Sequence, residues 1–194
     1  MCMRQENKNR KIAVIGHTKG IGKAIADLYK RKKYEIVGLS RTTGYDLETD
    51  QRKIIEKLVD CELIVLNAYA KFGQYELLKK IYSEFHHHYK KVVVITSTSG
   101  TPQGKDEDNY GADYNEYCWH KEHLIKYISD LQEELFNKPL SVYDVCPDVV
   151  DTDMIKGMWE DLPKLKADEV ADTVRYCFES PFNINKIVMQ KNVG

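Results

Sequence analysis

Ile12-Ala13-Val14-Ile15, running into Gly16-His17-Thr18-Lys19-Gly20-Ile21-Gly22, is the stretch whose reading decides the fold. Four apolar residues in a row read as a short strand buried on both faces. The glycines end that strand and let the backbone turn sharply. Ile21, Ala24, Ile25 and Leu28 then recur at helical spacing, predicting a helix over 21–33. Strand, glycine turn and helix start together make a cradle in which backbone amides at the positive end of a helix can meet a pyrophosphate. The spacing is GxxxGxG rather than GxGxxG, and a glycine trio also serves plain strand–helix packing. Its place at the first turn after the first strand is what points to a dinucleotide.

Outward from this unit the same alternation repeats. Residues 34–39, 63–66, 92–95, 140–145 and 187–189 read as further strands. Helices are predicted over 51–59, 75–89, 117–136 and 167–178. The longest of them carries Leu124, Ile128, Leu131 and Leu135 as one apolar stripe. Strand–helix–strand order with continuous apolar strands gives an α/β fold, a doubly wound parallel sheet with helices on both faces. One domain over 11–194 follows a polar lead at 1–10, which reads as disordered. The loop over 98–116 is polar, holds Pro102, Gly104 and Gly111, and is long enough to be functional.

The 194 residues carry 29 basic and 30 acidic side chains, a net charge of −1. Such a balance gives no bulk attraction to nucleic acid or to an anionic membrane. No apolar run approaches the roughly 20 residues that span a bilayer, and residues 1–11 lack the apolar stretch of a secretory signal. Cys2, Cys61, Cys118, Cys146 and Cys177 are scattered with no CxxC pair, so they read as reduced thiols of a cytoplasmic protein. His86-His87-His88 is internal, and consecutive helical residues point about 100° apart, unlike an i, i+4 metal pair. No metal is expected.

The end of the second strand discriminates between dinucleotides. An acid about 20 residues after the glycines usually grips the ribose 2′-hydroxyl of NAD. Here the stretch is Gly38-Leu39-Ser40-Arg41-Thr42-Thr43, with no acid until Asp46. Arg41 can pair with a 2′-phosphate, and Lys19 can approach it from the glycine loop. NADP(H) is therefore expected in preference to NAD(H).

With these motifs the chain resembles the short-chain dehydrogenase/reductase family, over nearly its whole length from Lys11. Asp46-Leu47 matches the acidic-plus-apolar pair that follows a third strand in the family and holds the adenine. Asn67-Ala68-Tyr69 stands where the family has Asn-Ala-Gly. Thr96-Ser97-Thr98-Ser99-Gly100 resembles the strand end with the catalytic serine, and Ser97 has the Ser-x-x-Gly spacing. Pro147-Asp148-Val149-Val150-Asp151-Thr152 looks like Pro-Gly-x-Val-x-Thr, with Asp148 replacing glycine. The resemblance implies a Rossmann-type fold, with the cofactor bound at Gly16, Thr18, Lys19, Gly20, Ile21, Gly22, Ser40, Arg41, Asp46, Leu47, Asn67, Ala68, Pro147, Val150 and Thr152.

The family's Tyr-x-x-x-Lys occurs three times, as Tyr29/Lys33, Tyr75/Lys79 and Tyr117/Lys121. Only the last lies downstream of Ser97, and residues one helical turn apart share a face. Tyr110 is nearer the usual distance from Ser97, but Tyr114 rather than lysine follows it. A phenol of reference pKa about 10 needs a nearby ammonium to exchange protons near neutrality. Ser97, Tyr117 and Lys121 are therefore the expected catalytic set, with Tyr117 and Lys121 also meeting the cofactor. The family often places an asparagine on the helix before the serine strand, for a water-linked proton relay. None lies between Tyr69 and Lys91; Gln74 is the one amide there and is assigned no role.

The expectation is an NADP(H)-dependent oxidoreductase moving hydride between the nicotinamide and a small carbonyl or alcohol, most simply a carbonyl reductase. The competing expectation is a non-catalytic NADP(H)-binding sensor or scaffold, which the altered Asn-Ala-Tyr and Pro-Asp segments favour. The resemblance also implies a homodimer through the helices at 75–89 and 117–136. Only 18 positions separate Thr152 from Val170, so any lid over the substrate is short. Trp159 within it is expected either to cap the pocket or to join the core.

Overall fold

The computed structural model describes residues 10–102 and 112–192. The chain runs β1 (Lys11–Ile15), α1 (Gly20–Arg31), β2 (Glu35–Leu39), α2 (Gln51–Leu58), β3 (Leu63–Leu66), α3 (Gly73–Phe85) and β4 (Lys90–Ile95). It continues through α4 (Ala112–Glu134), β5 (Leu140–Pro147), β6 (Val150–Asp151), β7 (Leu165–Lys166), α5 (Ala167–Glu179) and β8 (Lys186–Met189). Six strands form one parallel sheet in the order β2-β1-β3-β4-β5-β8, and β6 and β7 make a small parallel pair of their own.

Because β1, β3 and β4 are buried on both faces, their side chains feed two cores. Ile64, Leu66, Val92 and Val94 point to the face covered by α2, α3 and α4, where Ile54, Leu77, Ile81, Leu124, Ile128 and Leu131 meet them. Ile12, Val14, Val65 and Val93 point to the face covered by α1 and α5, against Ile25, Tyr29, Val170 and Val174. The helix ends match the macrodipole. Lys30 and Arg31 close α1, while Asp168 and Glu169 open α5, with Glu169 accepting from the Lys166 amide at 2.7 Å.

The strand order reverses direction beside β1, between β1 and β3. In an open parallel sheet a ligand binds at that point, off the carboxyl ends of the strands. The glycine turn follows β1 and Asn67-Ala68 follows β3, so both expected cofactor segments border the same crevice.

Two expectations change. The long helix begins at Ala112, so Tyr117 lies in its second turn rather than at its start. Its opening turn is polar and aromatic, with no apolar stripe to announce it. Asp46-Leu47 follows β2 and a short 3-10 turn, not a third strand, and among the described residues no strand lies outside β2. Leu47 is buried in the core and Asp46 accepts from the Glu48 amide, so this pair shapes the approach to α2. The remaining helix and strand ends fall within two residues of expectation, α1 ending at Arg31, except that α3 ends four residues early at Phe85. Residues 1–9 of the lead, Tyr110, and Gly104 and Gly111 of the polar loop lie outside the described residues.

Candidate active site

The glycine turn is held by its neighbours. Gly16 has φ +87°, in the left-handed region, and donates its amide to Leu39 O at 2.7 Å. A Cβ on Gly22 would lie 2.0 Å from Gly16 O, so only glycine lets the helix start against the turn. Asn67 Nδ2 donates to Gly16 O at 3.1 Å, and the Asn67 and Ala68 amides both donate to Ile15 O. The Thr152 methyl packs on Gly20, which brings the segment after β5 to the same turn. Gly16, Gly20, Gly22, Asn67, Ala68 and Thr152 are thus contiguous, as expected for one binding crevice.

These residues fit a dinucleotide. No acid occupies the first turn of α1, and its N-cap Lys19 makes no side-chain cap, so nothing offsets the positive helix end. His17 Nδ1 is buried without a hydrogen-bond partner, its ring seated where a side chain on Gly38 would be. That nitrogen leaves one hydrogen-bonding group beside β2 unsatisfied within the fold. Thr18, Lys19 and Arg41 are exposed and Ser40 is partly exposed, all around the same turn. Lys19 Nζ stands 3.9 Å from Asp153, both heavily exposed, a pairing of little energetic weight. Arg41 has no carboxylate in salt-bridge range among the described residues. The Ser40 hydroxyl bonds to the Thr42 and Thr43 hydroxyls.

The segment 147–152 departs from a plain glycine turn. Pro147 ends β5, Val150 is buried, and Asp148 accepts from the Thr98 hydroxyl at 2.8 Å. Beyond it, Leu165 donates to Val149 O and pairs β7 with β6, which closes the segment between them. Trp159, at φ +48°, lies in neither core; its ring meets Tyr114 edge-on at 5.8 Å. A cavity of about 310 Å³ opens nearby between Thr152, Asp153, Ile155, Lys156 and Lys164, and its lining includes neither Ser97 nor Tyr117.

Ser97, Tyr117 and Lys121 come together where β4 ends against α4. Ser97 caps the 3-10 turn of Thr98–Gly100, its Oγ accepting from the Ser99 amide at 3.2 Å, and its hydroxyl stands close enough to the Tyr117 phenol to favour the ionised form. Gly100 lies against α4, where a Cβ would come 2.7 Å from the Lys121 backbone; this is the physical content of the Ser-x-x-Gly spacing. Ser99 instead accepts from the Tyr114 hydroxyl at 3.0 Å. Burial pushes the Tyr117 phenol up to about 12, partly countered by Ser97. The phenol therefore carries its proton at neutral pH.

Lys121 is 3% exposed, with Nζ 5.7 Å from the Tyr117 ring centre. Desolvation pushes its ammonium down to about 8, opposed by Asp144 and Cys146 of β5. Nζ donates to Gln74 Oε1 at 2.9 Å and to Ile95 O at 3.0 Å. Gln74 is the residue that sequence reasoning passed over; its one signal was to be the sole amide on that stretch. Asp144 was also missed. It is an acid inside an apolar strand, 3% exposed, hydrogen-bonded by Thr96 and 3.5 Å from Lys186 Nζ.

Tyr69 is partly buried and its ring stands edge-on to Tyr117 at 4.8 Å. Phe72, Trp119, His120 and His123 continue an aromatic cluster along α4. Among the described residues no group of three or more His, Cys, Asp or Glu could hold a metal ion, and no helix is long and apolar enough to cross a membrane.

No family model matches the sequence, and no curated protein matches it at a significant level. Solved structures do match in fold. A 3-alpha-hydroxysteroid dehydrogenase from Pseudomonas sp. B-0831, complexed with NADH, superposes with a TM-score of 0.74 at 15% identity, covering 92% of this chain and 94% of that one. A small-chain dehydrogenase in complex with NADPH gives 0.73 at 17%, covering 93% and 96%. A 3-ketoacyl-(acyl-carrier-protein) reductase from Brucella melitensis, complexed with NADH, gives 0.75 at 15%, covering 93% and 95%. The chain has the Rossmann-type fold of the short-chain dehydrogenases/reductases.

Proposed function

We propose that this chain is an NADP(H)-dependent oxidoreductase that reduces a small carbonyl compound, or oxidises the corresponding alcohol, with Tyr117 as the acid/base. The observation that carries this reading is the meeting of three groups: the Tyr117 phenol beside the Ser97 hydroxyl, with the Lys121 ammonium over the same ring. Their nearness to a glycine turn that fits a dinucleotide supports it further.

A bound nicotinamide supplies or accepts the hydride. In reduction, negative charge develops on the carbonyl oxygen. Ser97 donates a hydrogen bond to that oxygen, and Tyr117 transfers its proton to it. A phenol held up to about 12 is fully protonated beforehand, which suits the reductive direction. Lys121 places positive charge beside the phenolate as it forms and lowers the cost of losing the proton. Arg41 and Lys19 favour a 2′-phosphate over a bare ribose, and an NADP(H) pool kept reduced in the cytoplasm drives the same direction.

The test is loss of NADPH absorbance against a panel of aldehydes, ketones and quinones, for the native protein and Tyr117→Phe. Turnover that the substitution abolishes is the expected result; turnover that survives it removes Tyr117 from the mechanism. A second reading, a non-catalytic NADP(H) sensor, is favoured by the Tyr69 ring packed on Tyr117. NADPH binding by calorimetry, with no turnover across the panel, would support it.

A further inference from the structure

Gln74, the second residue of α3, is 2% exposed and makes three hydrogen bonds. Its Nε2 donates to Leu66 O at 2.8 Å and to Ile95 O at 3.0 Å, the last carbonyls of β3 and β4. Both amide protons are committed, and a flipped amide would set its oxygen against two carbonyl oxygens. The orientation is therefore fixed by the sheet, and Oε1 faces α4 to accept from Lys121 Nζ at 2.9 Å. Lys121 gives a second proton to the same Ile95 carbonyl. An ammonium has three donors. Two are spent on Gln74 and Ile95, and among the described residues no third acceptor is in reach.

We propose that Gln74 is a positioning residue, which holds Lys121 directly so that its remaining N–H is aimed at the Tyr117 side of the crevice. This rests on the reading of Lys121 as part of the reacting machinery. Four carbon atoms separate a lysine backbone from its charge, and without a fixed acceptor that charge would have no single place. Gln74 and Ile95 supply one with no intervening water. The arrangement also supports the charged form in a buried site. Facing Lys121 are Tyr117 of its own helix, Tyr69 after β3, and Asp144 and Cys146 of β5, with Asp144 itself paired to Lys186 of β8.

Gln74 also ties the ends of β3 and β4 to α3, so the experiment must separate holding the lysine from holding the fold. Gln74→Met keeps the length and removes every hydrogen bond; Gln74→Glu places a carboxylate against the ammonium. The titration of Lys121 is followed in the cofactor-free protein by NMR of ¹³Cε-labelled lysine, its signal assigned by Lys121→Arg. Gln74→Met is expected to move the midpoint down by about one pH unit and Gln74→Glu to move it up by about as much. The upper pH limb of carbonyl reduction follows in the same two directions. Loss of a merely structural residue would lower the stability of both variants and leave the lysine titration at its native place.

Midpoints that stay put, or move together, overturn the proposal, as does a moved midpoint with an unmoved pH limb. If Gln74→Met does not fold, the upward shift in Gln74→Glu decides alone. A native protein that turns over no carbonyl fails the functional reading instead; the NMR shifts then still decide whether Gln74 holds Lys121.

Discussion

The Tyr69 hydroxyl and His120 Nδ1 lie 3.0 Å apart, joining the segment after β3 to α4 across the mouth of the candidate site. A tyrosine thus occupies the place that the family resemblance reserves for glycine, and its ring forms a wall against Tyr117. Desolvation pushes the buried imidazole down, against the pull of Glu116, which favours the neutral ring as partner of the phenol.

Tyr69→Phe and Tyr69→Ala should therefore separate the two jobs of this residue. The phenylalanine keeps the wall and loses one hydrogen bond, costing about 1 kcal/mol in urea unfolding with kcat/KM little changed. The alanine removes the ring, costs about 3 kcal/mol, and lowers KM for the bulkiest carbonyls in the panel by opening the space beside Tyr117. Equal effects of the two variants on stability and on KM would show that the ring is no wall.

Gly100→Ala should damage activity more than its size suggests. The new methyl would fall 2.7 Å from the Lys121 backbone, a contact that only a shift of α4 against the turn after β4 can relieve. Overpacking of this kind costs about 1–3 kcal/mol. Because that shift separates Ser97 from Tyr117 and Lys121, kcat should fall by about 100-fold while NADPH affinity stays near native. Native kcat in a destabilised Gly100→Ala protein would show that the approach of α4 is a packing matter alone.

The sequence showed the sheet and the cofactor crevice more clearly than the site itself. Val92 to Ile95 or Ile12 to Ile15 can be read locally, because burial on both faces leaves a continuous apolar run. Gln74 cannot, since its partners are the carbonyls of residues 66 and 95 and a lysine at 121, which only the folded chain assembles. Asp144 is hidden for the same reason: its partners Thr96 and Lys186 come from two other strands. Two-residue strands such as β6 and β7 carry no period to detect, and the first turn of α4 lacks an apolar stripe.

Arg41→Ala should weaken NADPH and spare NADH. A charge-assisted contact with a 2′-phosphate is worth about 1.5–3 kcal/mol, so the NADPH dissociation constant should rise about 10- to 100-fold by calorimetry. Lys19→Ala should cost less, because its ammonium is shared with Asp153 and strongly exposed. Equal losses for NADPH and NADH would mean that Arg41 acts on the shape of the turn after β2 and not on the phosphate.

The charge on Lys121 should be legible in stability as well as in rate. Its ammonium, ordinarily at 10.5, is pushed down to about 8 in the folded protein by desolvation. Below pH 8 both states carry the proton, and the folded state bears the whole cost of the buried charge. Between pH 8 and 10.5 the folded protein gives up the proton first, so the unfolded chain binds more protons and stability rises with pH. A fall from 10.5 to about 8 corresponds to roughly 3 kcal/mol. Lys121→Met removes this dependence. The unfolding free energy of the native protein minus that of the variant should therefore grow by about 3 kcal/mol from pH 7 to above pH 10.5, measured by urea unfolding. The lost donors to Gln74 and Ile95 set the offset of that difference at high pH, not its slope. A difference that stays flat across the window would mean that Lys121 titrates at its ordinary value, and that Gln74, Asp144 and the surrounding polar groups fully repay its burial.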